Sequence, residues 1–112
     1  MKYVICIIQP SKLDAVREAL TELNLSGMTV SEAQGYGRQH GKTEIYRGAE
    51  YSIQFLPKIK IELAIADDQE ADVLDAISST VKTGKIGDGK VFVLNLSHAL
   101  RIRTGETDTD AL

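Results

Sequence analysis

Tryptophan is absent from this chain of 112 residues, and cysteine, proline and histidine are rare, with one, two and two copies. A single cysteine, Cys6, excludes an intrachain disulfide and any cysteine-based zinc site. It lies inside an apolar run, where an unpaired cysteine reads as a small buried hydrophobe. Long hydrophobic runs are missing too, and nothing approaches the roughly 20 residues that a membrane-spanning helix needs. Met1-Lys2 lead into about six apolar residues, short of a secretory h-region, so a cytoplasmic location is expected. Basic charge is not in excess. Thirteen Lys and Arg against 16 Asp and Glu leave a net charge of −3, which argues against a non-specific nucleic-acid binder.

What remains is ordinary for one small globular domain: 43% hydrophobic and 26% charged residues. A chain this short has no room for a second core and little surface for a deep private active site. A pocket shared between subunits is therefore attractive.

Residues 3–8, Tyr-Val-Ile-Cys-Ile-Ile, form a short apolar run rich in β-branched side chains, suited to a central strand covered on both faces. Pro10 and Ser11 stop it, and Ser11 with Asp14 predicts the start of a helix. Leu13, Val16, Leu20 and Leu23 recur at helical spacing, with Asn24 and Gly27 closing that helix. A second strand is predicted over 28–36. Residues 37–56 are polar and irregular. From 59 to 66, Ile59, Ile61, Leu63 and Ile65 alternate with Lys60, Glu62, Ala64 and Ala66, the pattern of a strand with one apolar face. Asp67 and Asp68 are cap candidates for a second helix with Val73, Leu74, Ile77 and Val81 as its buried stripe and Gly84 as its end. A last strand is predicted over 91–96. The order β-α-β-β-α-β is the ferredoxin-like α+β sandwich, with both helices on one sheet face and the other left to be covered by association.

Three segments carry chemistry. Gly84-Lys-Ile-Gly-Asp-Gly-Lys90 has most of a P-loop's spacing, yet Val91 stands where the magnesium-binding hydroxyl belongs and a strand follows instead of a helix. A P-loop nucleotide hydrolase is excluded. The physical use survives, because Gly87 and Gly89 admit an oxyanion to backbone N–H groups and Lys90 adds positive charge. Alone, this would read as a flexible turn. Arg101 and Arg103 flank Ile102, and an extended backbone would project both guanidiniums to one side, where they suit a polyphosphate. The third segment is the excursion of about 18 residues after the second strand, long for so small a domain and hence read as functional. It carries Tyr46-Arg-Gly-Ala-Glu-Tyr51 near its tip.

These segments resemble, in order, the hallmark stretches of the PII nitrogen-regulatory signal-transduction family: Tyr46 to Tyr51, Thr83-Gly-Lys-Ile-Gly-Asp-Gly-Lys-Val-Phe92 and Arg101-Ile-Arg-Thr-Gly-Glu106. Lys12-Leu13-Asp14, Gly27-Met28-Thr29-Val30, Gly35-Tyr36-Gly37-Arg38-Gln39 and Phe55-Leu56-Pro57-Lys58 extend the similarity nearly end to end. The resemblance implies a homotrimer of ferredoxin-like subunits, one PII-type domain over 1–112, with ATP and ADP competing for lateral clefts. It implies an effector loop at about 37–55, a phosphate-binding turn at 83–90 and an Arg segment at 101–106.

By the same resemblance, Gly87, Asp88, Gly89, Lys90, Arg101 and Arg103 hold the phosphates with Arg38 nearby. Thr29, Gly37, Glu62 and Ala64 surround adenine and ribose. 2-Oxoglutarate is expected at Gly37, Gln39, His40, Gly41 and Lys58, with Gln39 ligating a Mg²⁺ ion shared with the ATP phosphates. Tyr51 matches a tyrosine that is uridylylated in some members, and Arg47 with Tyr51 would meet partners. The partners implied are an Amt-type ammonium channel, an N-acetylglutamate kinase, a nitrogen-regulatory kinase or an adenylyltransferase, with membrane contact only through a channel. The expected protein is a regulator and not an enzyme. The alternatives are a PII-like sensor of another metabolite and a slow ATP-hydrolysing enzyme. Departures are Gln9 and Ser11, where basic and aromatic residues are usual, Ala49 in place of a serine, Ala64 in place of a β-branched residue and His40 in place of lysine. His98 is read as unremarkable.

Overall fold

The computed structural model describes residues 1–25, 27–37 and 55–112 with their side chains, and 44–46 and 49–51 through their backbone. Among the described residues, two α-helices and six strands make up the frame. Strand β1 (Lys2–Ile8) is followed by a 3-10 turn (Pro10–Lys12) and helix α1 (Leu13–Glu22). Next come β2 (Thr29–Gly35), β3 (Glu44–Tyr46), β4 (Ala49–Tyr51) and β5 (Leu56–Ile65). A second 3-10 turn (Asp67–Gln69) opens α2 (Glu70–Val81), and β6 (Gly89–Asn95) completes the main sheet.

That sheet is antiparallel in the order β2-β5-β1-β6, so β1 lies between β5 and β6. Each half of the chain supplies one central and one edge strand, with a helix between: the ferredoxin-like α+β arrangement expected from the order of elements. Alternation sorts the side chains. Val4, Cys6 and Ile8 of β1 and Ile59, Ile61, Leu63 and Ile65 of β5 are buried with Val16 and Leu20 of α1 and Val73, Ile77 and Val81 of α2. Each of these aliphatic side chains contributes about 1.5–3 kcal/mol by leaving water, which makes the covered face the source of stability.

The other face is half open. Tyr3, Ile5 and Ile7 are only partly buried, so β1 is covered on one face rather than on both as its apolar run suggested. Beside them on β6, in register with Ile5 and Tyr3, Phe92 and Leu94 are each 49% exposed. On β5 the same face carries Lys60, Glu62 and Ala64.

The caps differ from expectation. Ser11 lies inside the first 3-10 turn, and α1 starts after Lys12 without a side-chain cap. Asp67 and Asp68 likewise sit in a 3-10 turn, where Asp67 pairs with the Met1 ammonium at 2.9 Å and Gln69 Oε1 accepts the Ala66 N–H at 2.9 Å. Tight turns at both starts consume the residues that a direct helix entry would use as caps. Asn24 does close α1, in the left-handed conformation at φ 61°. Helix α2 ends at Val81, before Gly84, because Lys82 is already extended.

The stretch read as irregular contains order. Strands β3 and β4 pair as a small antiparallel ladder, Glu44 opposite Tyr51 and Tyr46 opposite Ala49. At its base Gly35 pairs with Leu56, and the Tyr36 and Phe55 rings meet with centroids 5.9 Å apart.

Candidate functional site

The turn expected from the sequence to bind phosphate is built by its glycines and closed by one carboxylate. Gly84, Gly87 and Gly89 have φ of 83°, 105° and 118°, values that L side chains resist. At Gly89 a second constraint applies, since a Cβ would stand 2.0 Å from the Ile7 carbonyl oxygen. Asp88 accepts the backbone N–H of Thr83 at 2.8 Å and of Gly84 at 2.9 Å, and the Thr83 hydroxyl donates to its other oxygen. Lys85 N–H in turn donates to Thr83 Oγ1 at 3.2 Å. The Thr83 hydroxyl above all, then the backbone donors, hold the Asp88 carboxyl below its ordinary value. Asp88 therefore shapes the turn from within, and what it leaves outward is backbone and the exposed Lys90 side chain.

Among the described residues, two side chains converge on this turn from elsewhere. Gln9 Nε2 donates to the Gly87 carbonyl at 3.1 Å, and Lys58 Nζ donates to the same oxygen at 3.3 Å. Lys58 belongs to β5 on the sheet's open side, and its stem packs over Gly35, where a Cβ would meet Lys58 Cγ at 3.0 Å. The residue assigned to the effector and the turn assigned to phosphate thus share an atom.

Asp88, Gly89 and Lys90 border a groove of about 320 Å³ against α2, lined also by Ile77, Val81 and Lys82. Thr29, Glu62 and Ala64 line a different and larger cleft of about 710 Å³, together with Tyr3, Gly27, Gln69 and the C-terminal Thr109, Ala111 and Leu112. Thr29 is directly opposite Glu62 in the β2–β5 register. The Tyr3 phenol is held above its ordinary pKa by burial first, and then by the Glu62 carboxylate, to which it is hydrogen-bonded.

The two groups lie toward opposite ends of β1. Ala64 is in register with Tyr3 and Gly89 with Ile8, a separation of about 16 Å at 3.3 Å per residue. One chain does not bring them together.

The C-terminal arginines depart from their predicted geometry. Residues 102–104 form a turn and not an extended run, closed by Gly105 N–H to the Arg101 carbonyl at 2.8 Å and Arg101 N–H to the Glu106 carbonyl at 2.9 Å. Arg101 instead pairs with Glu106 at 2.9 Å and donates to the Leu112 carbonyl at 3.3 Å, while Arg103 is exposed. This brings the C-terminal 3-10 turn (Asp108–Ala111) to the wall of the larger cleft.

Gly37 is exposed where β2 ends. Arg38, Gln39, His40, Gly41 and Arg47 lie outside the described residues, and Tyr51 is placed by its backbone at the end of β4. Among the described residues no three His, Cys, Asp or Glu gather as a metal cluster, and no helix is long and apolar enough to cross a membrane. Sequence reasoning missed Gln9, Tyr3 and the closing role of Thr83 with Asp88. Only the last had a readable signal, an aspartate in a glycine-rich turn, which favours bonds to nearby backbone N–H groups.

Comparison with known proteins agrees with this frame. The family model for nitrogen regulatory protein P-II matches residues 1–106. The chain is 59% identical to nitrogen regulatory protein P-II of Rhizobium etli, 58% to nitrogen regulatory protein GlnK of Escherichia coli K12 and 53% to nitrogen regulatory protein P-II of Pasteurella multocida. Each alignment covers 112 residues, all of this chain and all of the relative. With the fold, the turn and these matches in agreement, the chain belongs to the nitrogen regulatory protein P-II family.

Proposed function

We propose that this protein is a nitrogen-regulatory sensor that binds ATP or ADP and 2-oxoglutarate and acts on other proteins by contact, without catalysing their reactions. The observation that carries the reading is the meeting of Lys58 and the phosphate turn on the Gly87 carbonyl, 3.3 Å from the ammonium. A ligand arriving at either one is felt by the other, and a sensor of two ligands needs that linkage.

The phosphates are assigned to Gly87, Gly89 and Lys90 with Arg101, Arg103 and Arg38, and Asp88 serves as the brace of that turn. Adenine and ribose are assigned to Thr29, Gly37, Glu62 and Ala64. Because the two sets stand about 16 Å apart along one sheet, a complete site takes the turn of one subunit and the cleft of another. The open face with Phe92 and Leu94 is the surface through which a trimer would form. Arg101 would exchange Glu106 for phosphate oxygens, which it can hold bidentately.

2-Oxoglutarate is assigned to Lys58, Gln39 and the backbone at Gly37, His40 and Gly41. Mg²⁺ held by Gln39 would offset the repulsion between two anionic ligands. Arg47 and Tyr51 are the proposed partner contacts, with Tyr51 the candidate for uridylylation. The partner class is that of nitrogen-assimilation proteins: an ammonium channel, N-acetylglutamate kinase, a nitrogen-regulatory kinase or an adenylyltransferase. Calorimetry tests the core of this reading. 2-Oxoglutarate should bind tightly with ATP and Mg²⁺ and at least tenfold more weakly with ADP, about 1.4 kcal/mol. Equal affinity in both conditions, or with no nucleotide, would overturn it.

A further inference from the structure

Gln9 is the residue that the site's chemistry has not used. It follows β1 directly, where its backbone (φ −68°, ψ 140°) starts the 3-10 turn, and its side chain makes no cap bond there. Instead the carboxamide crosses to the Gly87 carbonyl, 78 residues away in sequence, in a partly buried position. That oxygen already receives Lys58 Nζ. A carbonyl oxygen has two lone pairs, so both donors can be served at once.

We propose that Gln9 is a positioning residue that keeps the phosphate turn in place while Lys58 is drawn away by an anionic effector. The inference rests on the assignment of the turn to nucleotide and of Lys58 to 2-oxoglutarate. A carboxylate offers the Lys58 ammonium a full opposite charge, which a neutral carbonyl lacks, so Lys58 leaves Gly87 when an effector carboxylate arrives. Without a second donor the partly buried carbonyl would then be orphaned, and its desolvation would count against effector binding. Gln9 removes that cost. Both shoulders of the turn are otherwise fixed, by Asp88 on Thr83 and Gly84 and by Gly89 against Ile7, so Gly87 is the point at which the turn could still move.

The test compares Gln9→Ala with wild type and with Gln9→Lys, which keeps a donor of similar reach. The ¹³C resonance of the Gly87 carbonyl reports the contact without any ligand. Calorimetry reports ATP affinity and the factor by which 2-oxoglutarate tightens it. In Gln9→Ala the carbonyl resonance should move upfield and the tightening factor should fall about fivefold, the worth of one ordinary hydrogen bond. Gln9→Lys should stay within about twofold of wild type in that factor. An unmoved carbonyl resonance in Gln9→Ala overturns the proposal, as does an unchanged tightening factor or a Lys variant as impaired as the Ala one. Should wild type bind neither ATP nor 2-oxoglutarate, the sensor assignment falls, and with it the effector role given to Gln9. The carbonyl resonance would then still decide whether Gln9 holds the turn.

Discussion

The two faces of the main sheet divide labour with little overlap. On the covered face, Val4, Cys6, Ile61, Ile65, Val73 and Ile77 are fully buried and aliphatic or nearly so. On the open face, Lys58, Glu62 and Ala64 carry the proposed ligand contacts, beside exposed Phe92 and Leu94. A single strand, β5, serves both, with odd-numbered residues in the core and even-numbered ones at the site. Period-two geometry makes this possible, and it ties site to core rigidly, because any slip of register would exchange the two sets. The site is therefore positioned by packing it takes no part in.

The sharpest break of this comparison uses neighbours on β5. Ile61→Ala should lower folding stability by about 2–5 kcal/mol, the usual range for removing a fully buried branched side chain. Glu62→Ala should cost under about 1 kcal/mol, as a partly exposed site does, while reducing ATP affinity. Urea midpoints and calorimetry on both variants decide. Equal stability losses would mean that the open face is a second core.

A smaller effect separates two glycines of one turn. Gly89→Ala places a methyl on the Ile7 carbonyl at φ 118° and should cost more than the roughly 1–3 kcal/mol of backbone strain alone. Gly84→Ala has open space around it at φ 83° and pays only the strain. Thermal denaturation that ranks the two the other way would show that the contact with β1 does not fix the turn.

The smallest effect is in pH. Asp88 has a lowered pKa in the fold, so its contribution is complete above the ordinary carboxylate value near 3.8 and is lost as pH falls through the lowered one. Cys6, raised by burial from 9.0 to about 11, behaves oppositely. Its contribution is complete below 9.0 and is lost as pH rises toward 11. The open-side turn should thus loosen in acid and the covered face in alkali. Stability curves for Asp88→Asn and Cys6→Ala check this, each flattening one limb only.

Much of this was legible in the residues. The alternation from Ile59 to Ile65 and the spacing of Val16, Leu20, Val73, Ile77 and Val81 are periodic signals that met buried positions, while Leu13, Leu23 and Leu74 of the same stripes are only partly buried. The tight turn over 83–90 was marked by its three glycines, each of which takes a positive φ that most side chains resist. What failed was local context: 3-10 turns displaced Ser11, Asp67 and Asp68 from capping, and the Arg101–Glu106 pairing folded back a segment that composition alone left extended. Gln9 and Tyr3 could not be found, because their contacts are made across the sheet and no local pattern announces them.

The clasp of Tyr36 on Phe55, with Gly35 paired to Leu56, has a consequence for how such a protein diversifies. Exit and re-entry of the intervening chain are fixed beside each other by the frame, so the two ends stay in place whatever the length between them. Doubling that length would cost only about 0.6 kcal/mol in closure entropy. The length of that segment can therefore change at little cost to the sheet and helices that hold its two ends.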